Sequence, residues 1–415
     1  IFLNLLYKIY FMQKSKYLII IIYIVLLSAF FLNADPNGGA FKDYQNHLIL
    51  IKDFNENFLK TLFNYDNYGT RHSPVLYGFL SIFYSLEIPD KIIRLFFVHI
   101  GILLPIIFYK CLKLKFTSTK KEKLVLFSCL ILLSPSFWSL TIWPDSRIFG
   151  LLFFCISIFY FLKFKENEKL NNSIKCVVFY SLASYLSPNF AVFSIFYFYH
   201  FFKKFKFSIE ILVIILINII LSLPAFLYLF SLDSIFLIKS AVPSNEIQTS
   251  DLFNISNKVL VISSIIFFYS IPFLIIKSFE IEKPKLNIII LSLIFLIILS
   301  YNFNYNYLYT GGGIFFKLSH FITNNNYLFF LICFFSILLL VSLIKLNFEN
   351  FIIILLLIAS NPQYTIYHKY YDPLMLILFP LIFNIKINEK KLFNFNSLII
   401  FYIHIGSFLI LNFLK

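Results

Sequence analysis

The sequence predicts an all-α, polytopic integral membrane protein, and three observations predict it. Sixty per cent of the 415 residues are hydrophobic and only 13 per cent are charged, whereas soluble domains carry about 25 per cent charged residues. Apolar runs recur from one end of the chain to the other, and a helix needs roughly 20 such residues to cross about 30 Å of hydrocarbon. Clusters of lysine punctuate those runs, the pattern of loops retained on the cytoplasmic side. Within lipid each backbone N–H must be satisfied inside its own segment, so the runs are expected as helices. They lack the strict alternation of a porin strand.

Phe, Ile, Asn, Lys and Tyr are abundant while Gly, Ala and Arg are scarce, as an AT-rich genome would produce. Individual aromatic residues therefore carry little functional weight. The net charge of +15 is accounted for by lysines on cytoplasmic loops. Nucleic-acid binding is excluded on the ground that no compact basic domain exists to do it. Cys111, Cys129, Cys155, Cys176 and Cys333 form no CxxC pair and read as small apolar core residues.

Taken in order, the apolar segments are 17–32, 92–109, 124–137, 148–162, 174–187, 190–202, 209–230, 259–276, 286–301, 327–344, 351–360, 372–385 and 397–413, with a shorter one at 73–86. About 11 to 14 membrane segments are expected, forming one transmembrane domain over 1–415. Met12 reads as an alternative start, and no small-residue cleavage site follows 17–32, so that helix is expected to be retained. Lysine clusters at Lys110–Lys123, Lys163–Lys169, Lys203–Lys206, Lys277–Lys285, Lys345 and Lys386–Lys391 are assigned inside. The stretches around Trp138–Arg147, Ser187–Asn189, 231–258, 302–326 and 359–371 hold few lysines and are assigned outside. This alternation requires 73–86 to be re-entrant or interfacial, or one other segment not to span.

The largest polar stretch, 33–72, follows the first span and is expected outside. Its apolar positions Phe41, Tyr44, Leu48, Ile51, Phe54, Phe58 and Leu62 step by three and four, the signature of amphipathic helices lying on the membrane surface. Charges near lipid are expensive, which makes them the first functional candidates. Three external stretches carry them: 34–47 with Asp35 and Asp43, 134–147 with Asp145 and Arg147, and 361–373 with His368, Lys369, Tyr370 and Asp372.

The order of these features resembles the GT-C superfamily of membrane glycosyltransferases, and within it family 39 and the aminoarabinose-transferase-like enzymes. Asp43-Tyr44 stands where that family has an acidic pair, so the second carboxylate is missing. His72-Ser73-Pro74-Val75-Leu76-Tyr77 stands where it has a His-Pro-Pro-Leu-like motif, with Ser for the first Pro. Lys369-Tyr370 resembles its late Arg-Tyr. The resemblance implies an inverting, single-displacement transfer from a polyprenyl-phosphate sugar to a glycan or lipid acceptor of the cell envelope. It implies Asp43 as first choice for general base, Asp35 as second, and Arg147, Lys369 and Tyr370 as donor-phosphate ligands. His72, Asp145 and His368 are further candidates. No metal ligand set is assigned and no cofactor is required, though a divalent metal is left open. The expected location is a bacterial inner membrane with the active face periplasmic.

Each residue has a simpler reading as well. Asp35 in Asp-Pro-Asn-Gly reads equally as a turn or helix cap, and Asp43 as a solvated helix position. Asp145 with Arg147 reads as a surface ion pair, and His72 and His368 as interfacial histidines. Trp138 and Trp143 read as aromatic-belt anchors, Gly311-Gly312-Gly313 as a flexible turn, and Glu87, Asp90 and Lys91 as a solvated turn. The competing function class is a transporter, flippase or polymerase of lipid-linked glycans.

The topology is testable. Cysteines introduced near Asn55 and Asn325 should react with an impermeant reagent added outside, and those near Lys120 and Lys283 should not. Outside labelling at the Lys120 position would reverse the orientation.

Overall fold

The computed structural model describes residues 2–68, 72–232, 254–307 and 311–414, with side chains from Tyr17 onward. Arg71, residues 308–310 and positions 233–253, most of the expected outer loop 231–258, lie outside the described residues. The chain is all-helical, and among the described residues the only β-pairing is an isolated bridge between Phe279 and Ile387. It divides into two compact units, each assembled from separated segments.

The first unit comprises Ile1–Asn64, Ser73–Ser187 and Glu389–Lys415. It holds α1 (Phe2–Phe31), α2 (Ala40–Glu56), α3 (Phe58–Phe63), α4 (Pro74–Ser85), α5 (Asp90–Gly101), α6 (Leu103–Lys115), α7 (Lys121–Ser128), α8 (Pro135–Ile142), α9 (Ser146–Asn167) and α10 (Leu170–Leu186). The second unit comprises Tyr65–His72 and Pro188–Asn388. It holds α11 (Ser194–Phe205), α12 (Ile209–Ser231), α13 (Ile255–Ile275), α14 (Leu286–Tyr301), α15 (Gly313–Thr323), α16 (Tyr327–Leu346), α17 (Phe348–Ala359) and α18 (Leu374–Leu381). The chain returns to the first unit with α19 (Glu389–Leu392) and α20 (Phe395–Phe413).

Six helices among the described residues are long and apolar enough to cross a bilayer: Asp90–Lys115, Ser146–Asn167, Ile209–Ser231, Ile255–Ile275, Tyr327–Leu346 and Phe395–Phe413. This makes the chain a multi-pass membrane protein. The number of long spans is below the 11 to 14 segments expected, because several apolar runs fold as short helices: Tyr17–Phe31, Pro74–Ser85, Leu286–Tyr301 and Phe348–Ala359. At a rise of about 1.5 Å per residue, the 12 residues of α4 extend only about 18 Å. A straight helix of that length does not cross, in keeping with the re-entrant or interfacial reading of 73–86.

The run 124–137 is not one straight helix. Lys121–Leu133 and Pro135–Ile142 meet at 66°. The cause is local: a residue before proline is pushed out of the helical region, and Ser134 has φ −72° and ψ 126°. Its hydroxyl then accepts the Phe137 N–H at 2.9 Å, capping α8.

The amphipathic reading of the first loop holds with a different face. α2 buries Ala40, Tyr44, His47, Leu50, Ile51 and Phe54, while Phe41 and Phe58 are exposed. His47 was absent from the expected stripe. It is buried and its ring lies 4.5 Å from that of Tyr77. The five cysteines are free thiols and all are buried, as expected.

The Gly311-Gly312-Gly313 segment is tightly fitted, contrary to its reading as a flexible turn. Gly311 has φ +105°, and a Cβ there would lie 2.7 Å from the Ile366 carbonyl oxygen. The Gly312 N–H donates to that same oxygen at 2.8 Å. Gly311→Ala should therefore lower apparent stability in detergent by about 1–3 kcal/mol, the usual scale of a non-glycine residue forced into a strained backbone region. Gly406→Ala is the matched control, since a Cβ there meets nothing within 4 Å. Equal melting temperatures for the two variants would contradict the close fit.

Candidate functional site

The first unit brings two of the three charged stretches together. Asp35 to Gly38 form a turn, closed by the Gly38 N–H donating to the Asp35 carbonyl at 3.0 Å. Proline suits the second position of such a turn, which is where Pro36 stands. Gly38 and Gly39 have φ +68° and +101°, and a Cβ at either would touch nothing. The requirement for glycine here is conformational, not steric. The Asp35 carboxylate accepts the Phe41 N–H at 3.0 Å, so the capping role foreseen for Asp35 is realised in this geometry. Asp43 is half-buried in the first turn of α2, where the helix dipole favours a carboxylate.

This loop is fastened to α8. The Asn37 backbone N–H donates to the Ser139 hydroxyl at 2.9 Å, and its side-chain amide donates to the Ser136 hydroxyl at 3.0 Å. The Trp143 indole N–H donates to the Ala34 carbonyl at 3.3 Å. The Phe41 ring packs 4.7 Å from the Trp143 ring, and Tyr44 lies 5.8 Å from it. Trp138 and Trp143 are both buried, which corrects their reading as aromatic-belt anchors. Trp138 donates its N–H to the Leu132 carbonyl across the bend.

Asp145 is buried and caps α9, its carboxylate accepting the Arg147 N–H at 2.8 Å. It is a helix cap rather than half of a solvated surface pair. Arg147 follows in the first turn of α9 and is half-buried.

Beneath these groups lies a cluster that sequence reading missed. The Arg94 side chain is 7 per cent exposed and lies 3.8 Å from the Asp90 carboxylate. Its Nε–H donates to the Ile142 carbonyl and an Nη–H donates to the Asn33 amide oxygen, both at 3.0 Å. Its guanidinium sits 3.6 Å from the Trp143 ring centroid. The Tyr44 and Tyr84 hydroxyls each donate to the same Asp90 oxygen at 2.6 Å. Burial, followed by the bond to Asp90, raises the Tyr44 phenol above its ordinary range. Asp90, whose side chain remains 38 per cent exposed, opens α5 and accepts both hydroxyls, more than a turn residue need do. The available signal was a lone arginine inside the apolar run 92–109.

The remaining candidates belong to the second unit. The Tyr65 hydroxyl donates to the His72 carbonyl at 2.8 Å. The next two residues of that motif serve α4 of the first unit: Ser73 caps it and Pro74 occupies its first turn. His368, Lys369 and Tyr370 form a 3₁₀ turn. His368 Nε2 lies 3.0 Å from the Tyr269 hydroxyl, with which the buried Asp372 also interacts. The Tyr370 hydroxyl donates to the Gln363 side-chain oxygen at 2.9 Å. The Lys369 ammonium stands 5.2 Å from the Tyr367 ring centroid, and Tyr367 also interacts with Lys317, whose ammonium partial desolvation lowers below its ordinary range.

A further buried pair was also missed. His200 Nε2 lies 3.8 Å from a Glu349 oxygen, and the Asn384 amide donates to that carboxylate at 3.0 Å. Among the described residues, no three His, Cys, Asp or Glu side chains are grouped so as to hold a metal ion. Comparison with family models, with curated proteins and with solved structures finds no match.

The cap assignment has a direct test. Asp145→Ala should lower stability by about 1 kcal/mol, the usual worth of an N-cap side chain, and Asp145→Ser should restore it. Loss of activity in a fully stable Asp145→Ser protein would show that the carboxylate does more than cap α9.

Proposed function

We propose that the chain is a membrane glycosyltransferase that moves a sugar from a polyprenyl-phosphate donor to a lipid-linked or cell-envelope acceptor. One observation carries the reading. The loop leading to Asp43 and the helix leading to Arg147 are joined through the Asn37–Ser136 and Asn37–Ser139 bonds and the Phe41–Trp143 contact. The junction thus ties the start of α2, whose first turn carries Asp43, to α8, which leads into α9 and Arg147, and this supports the reading. A carboxylate and an arginine are the pair of groups such a transfer needs.

In the proposed reaction the acceptor hydroxyl oxygen attacks the anomeric carbon. Asp43 accepts the hydroxyl proton, and the anomeric C–O bond breaks with its electron pair passing to the phosphate. Arg147 offsets the charge that develops on the departing phosphate, a role suited to its planar, always-charged fork. Asp35, its carboxylate engaged with the Phe41 N–H, ranks second as base. In the second unit Lys369 and Tyr370 are the candidates for a phosphate contact. The reading places the chain in a bacterial inner membrane with the active face outward, where a polyprenyl-phosphate donor would present its sugar at the interface.

A transporter of lipid-linked glycans is the second reading. The 66° break at Ser134 favours it, because interrupted helices form the binding sites of many transporters.

Transfer assays separate the two. Asp43→Asn should reduce transfer by about a hundredfold or more, the usual worth of base catalysis, while the protein still inserts. Asp53→Asn should match the native chain. Arg147→Ala and Lys369→Ala should each reduce activity with expression intact. If Asp35→Asn is inactive and Asp43→Asn active, the base is Asp35. If both aspartate variants keep full transfer, neither is the base, and if the native chain shows no transfer the transport reading replaces the enzyme.

A further inference from the structure

The proposed base stands one residue before Tyr44, and Tyr44 is gripped from two sides. Its hydroxyl donates to Asp90 at 2.6 Å, and its ring lies 5.8 Å from Trp143. The second donor to Asp90 is Tyr84, from the end of α4. Asp90 is in turn 3.8 Å from Arg94 one helical turn on. Arg94 reaches in the opposite direction to the Ile142 carbonyl at the end of α8 and to Asn33 at the end of α1, and covers the Trp143 ring. One guanidinium thus ties together the end of α1, the start of α5 and the end of α8, and through Asp90 the first turns of α2.

We infer that Arg94 and Asp90 are positioning residues whose clamp on Tyr44 and Trp143 fixes the first turn of α2, and with it Asp43, against the end of α8. The inference rests on the glycosyltransferase reading for the role of Asp43, but not for the clamp itself. Neither residue need touch a substrate. Arg94 is almost wholly enclosed, and its polar contacts are to groups of the chain. The Asn37 bonds to Ser136 and Ser139 hold the loop at its tip, and the Arg94 cluster holds it at its base. Removing the arginine leaves the tip bonds in place but frees the Asn33 end of the loop and leaves Asp90 to the Tyr44 and Tyr84 hydroxyls without its counter-charge.

The chain provides a clean reporter, because all five native cysteines are buried. Ala40 is the first residue of α2 and 5 per cent exposed, so Ala40→Cys is a small change at a covered position. Labelling of the Ala40→Cys protein in native membranes with an impermeant maleimide measures how firmly the first turn is seated. With Arg94→Met added, labelling should quicken at least tenfold. Arg94→Lys should fall between, since an ammonium keeps the charge but lacks the fork. Tyr44→Phe, which removes one hydroxyl, should quicken labelling severalfold. Lys91→Met, an adjacent cation that stands over Phe31, should leave it unchanged.

An unaltered rate in Arg94→Met overturns the clamp. If that variant does not accumulate, an unaltered rate in Tyr44→Phe overturns it instead. Turnover is read on the same samples as polyprenyl phosphate released from polyprenyl-phosphate-linked hexoses. The positioning role requires kcat to fall in step with faster labelling while KM stays within about twofold, as expected when an interaction made only in the transition state is lost. Faster labelling with unchanged kcat overturns the link from the clamp to Asp43. A native chain that releases no polyprenyl phosphate removes the glycosyltransferase reading, and the labelling rates still decide the clamp.

Discussion

The junction of α1, α2, α5 and α8 in the first unit is organised by the need to satisfy one charge. Arg94 opens a helix of 26 apolar-rich residues, and an enclosed guanidinium without partners would not be tolerated there. Its ligands come from four places in the sequence: Asn33, Asp90, the Ile142 carbonyl and the Trp143 face. Satisfying it fixes where α1 ends, how α5 begins and how α8 terminates. The Trp143 position then settles the first loop, because Phe41 and Tyr44 pack on that indole and Ala34 accepts its N–H. Hydrogen bonds to a charged group are worth about 1.5–3 kcal/mol each, and an exposed surface pair much less. Enclosure is what gives this cluster its leverage.

The bend at Ser134 is the second element on which this junction depends. A straight continuation of α7 would carry Ser136, Ser139 and Trp143 along the axis of that helix. The Ser134–Pro135 break turns α8 by 66°, and the Ser134 hydroxyl caps the new helix. Ser136 and Ser139 lie one turn apart on α8 and meet the same asparagine. A local steric rule about proline thus decides what a residue a hundred positions earlier can bond.

Much of this was legible and some was not, for reasons that lie in particular residues. Hydropathy located the helices because lipid imposes one rule on every apolar run. It overstated the number of long spans because it does not register the break before Pro135 or that runs such as 286–301 and 351–360 fold as short helices. The stripe Phe41, Tyr44, Ile51, Phe54 correctly indicated an amphipathic helix, yet Phe41 is exposed on it and His47 buried. Periodicity fixes a face only to within about one residue's rotation, and a polar ring that packs on Tyr77 leaves no trace in a hydrophobic pattern. The Asp145 and Asp35 caps were readable as candidates from type and context. Arg94 was legible as a lone arginine in an apolar run one turn after Asp90, but its bond to Ile142 48 positions away was not, and the His200–Glu349 pair, 149 positions apart, gives no local signal.

Composition gives the last reason to weigh Arg94 heavily. The chain holds 35 basic side chains, and only Arg71, Arg94 and Arg147 are arginines. Lysine serves wherever a point charge at a loop is enough. The Arg94 site asks for more: an Nε–H aimed at Ile142, an Nη–H aimed at Asn33, and a flat face on Trp143 at the same time. A planar fork meets all three demands from one rigid group, whereas an ammonium must choose among them. Arg147 sits beside the same indole in sequence, four residues on, at the start of the next helix. Arg94 is thus the arginine on which the junction closes, while Arg147 stands half-buried in the first turn of α9.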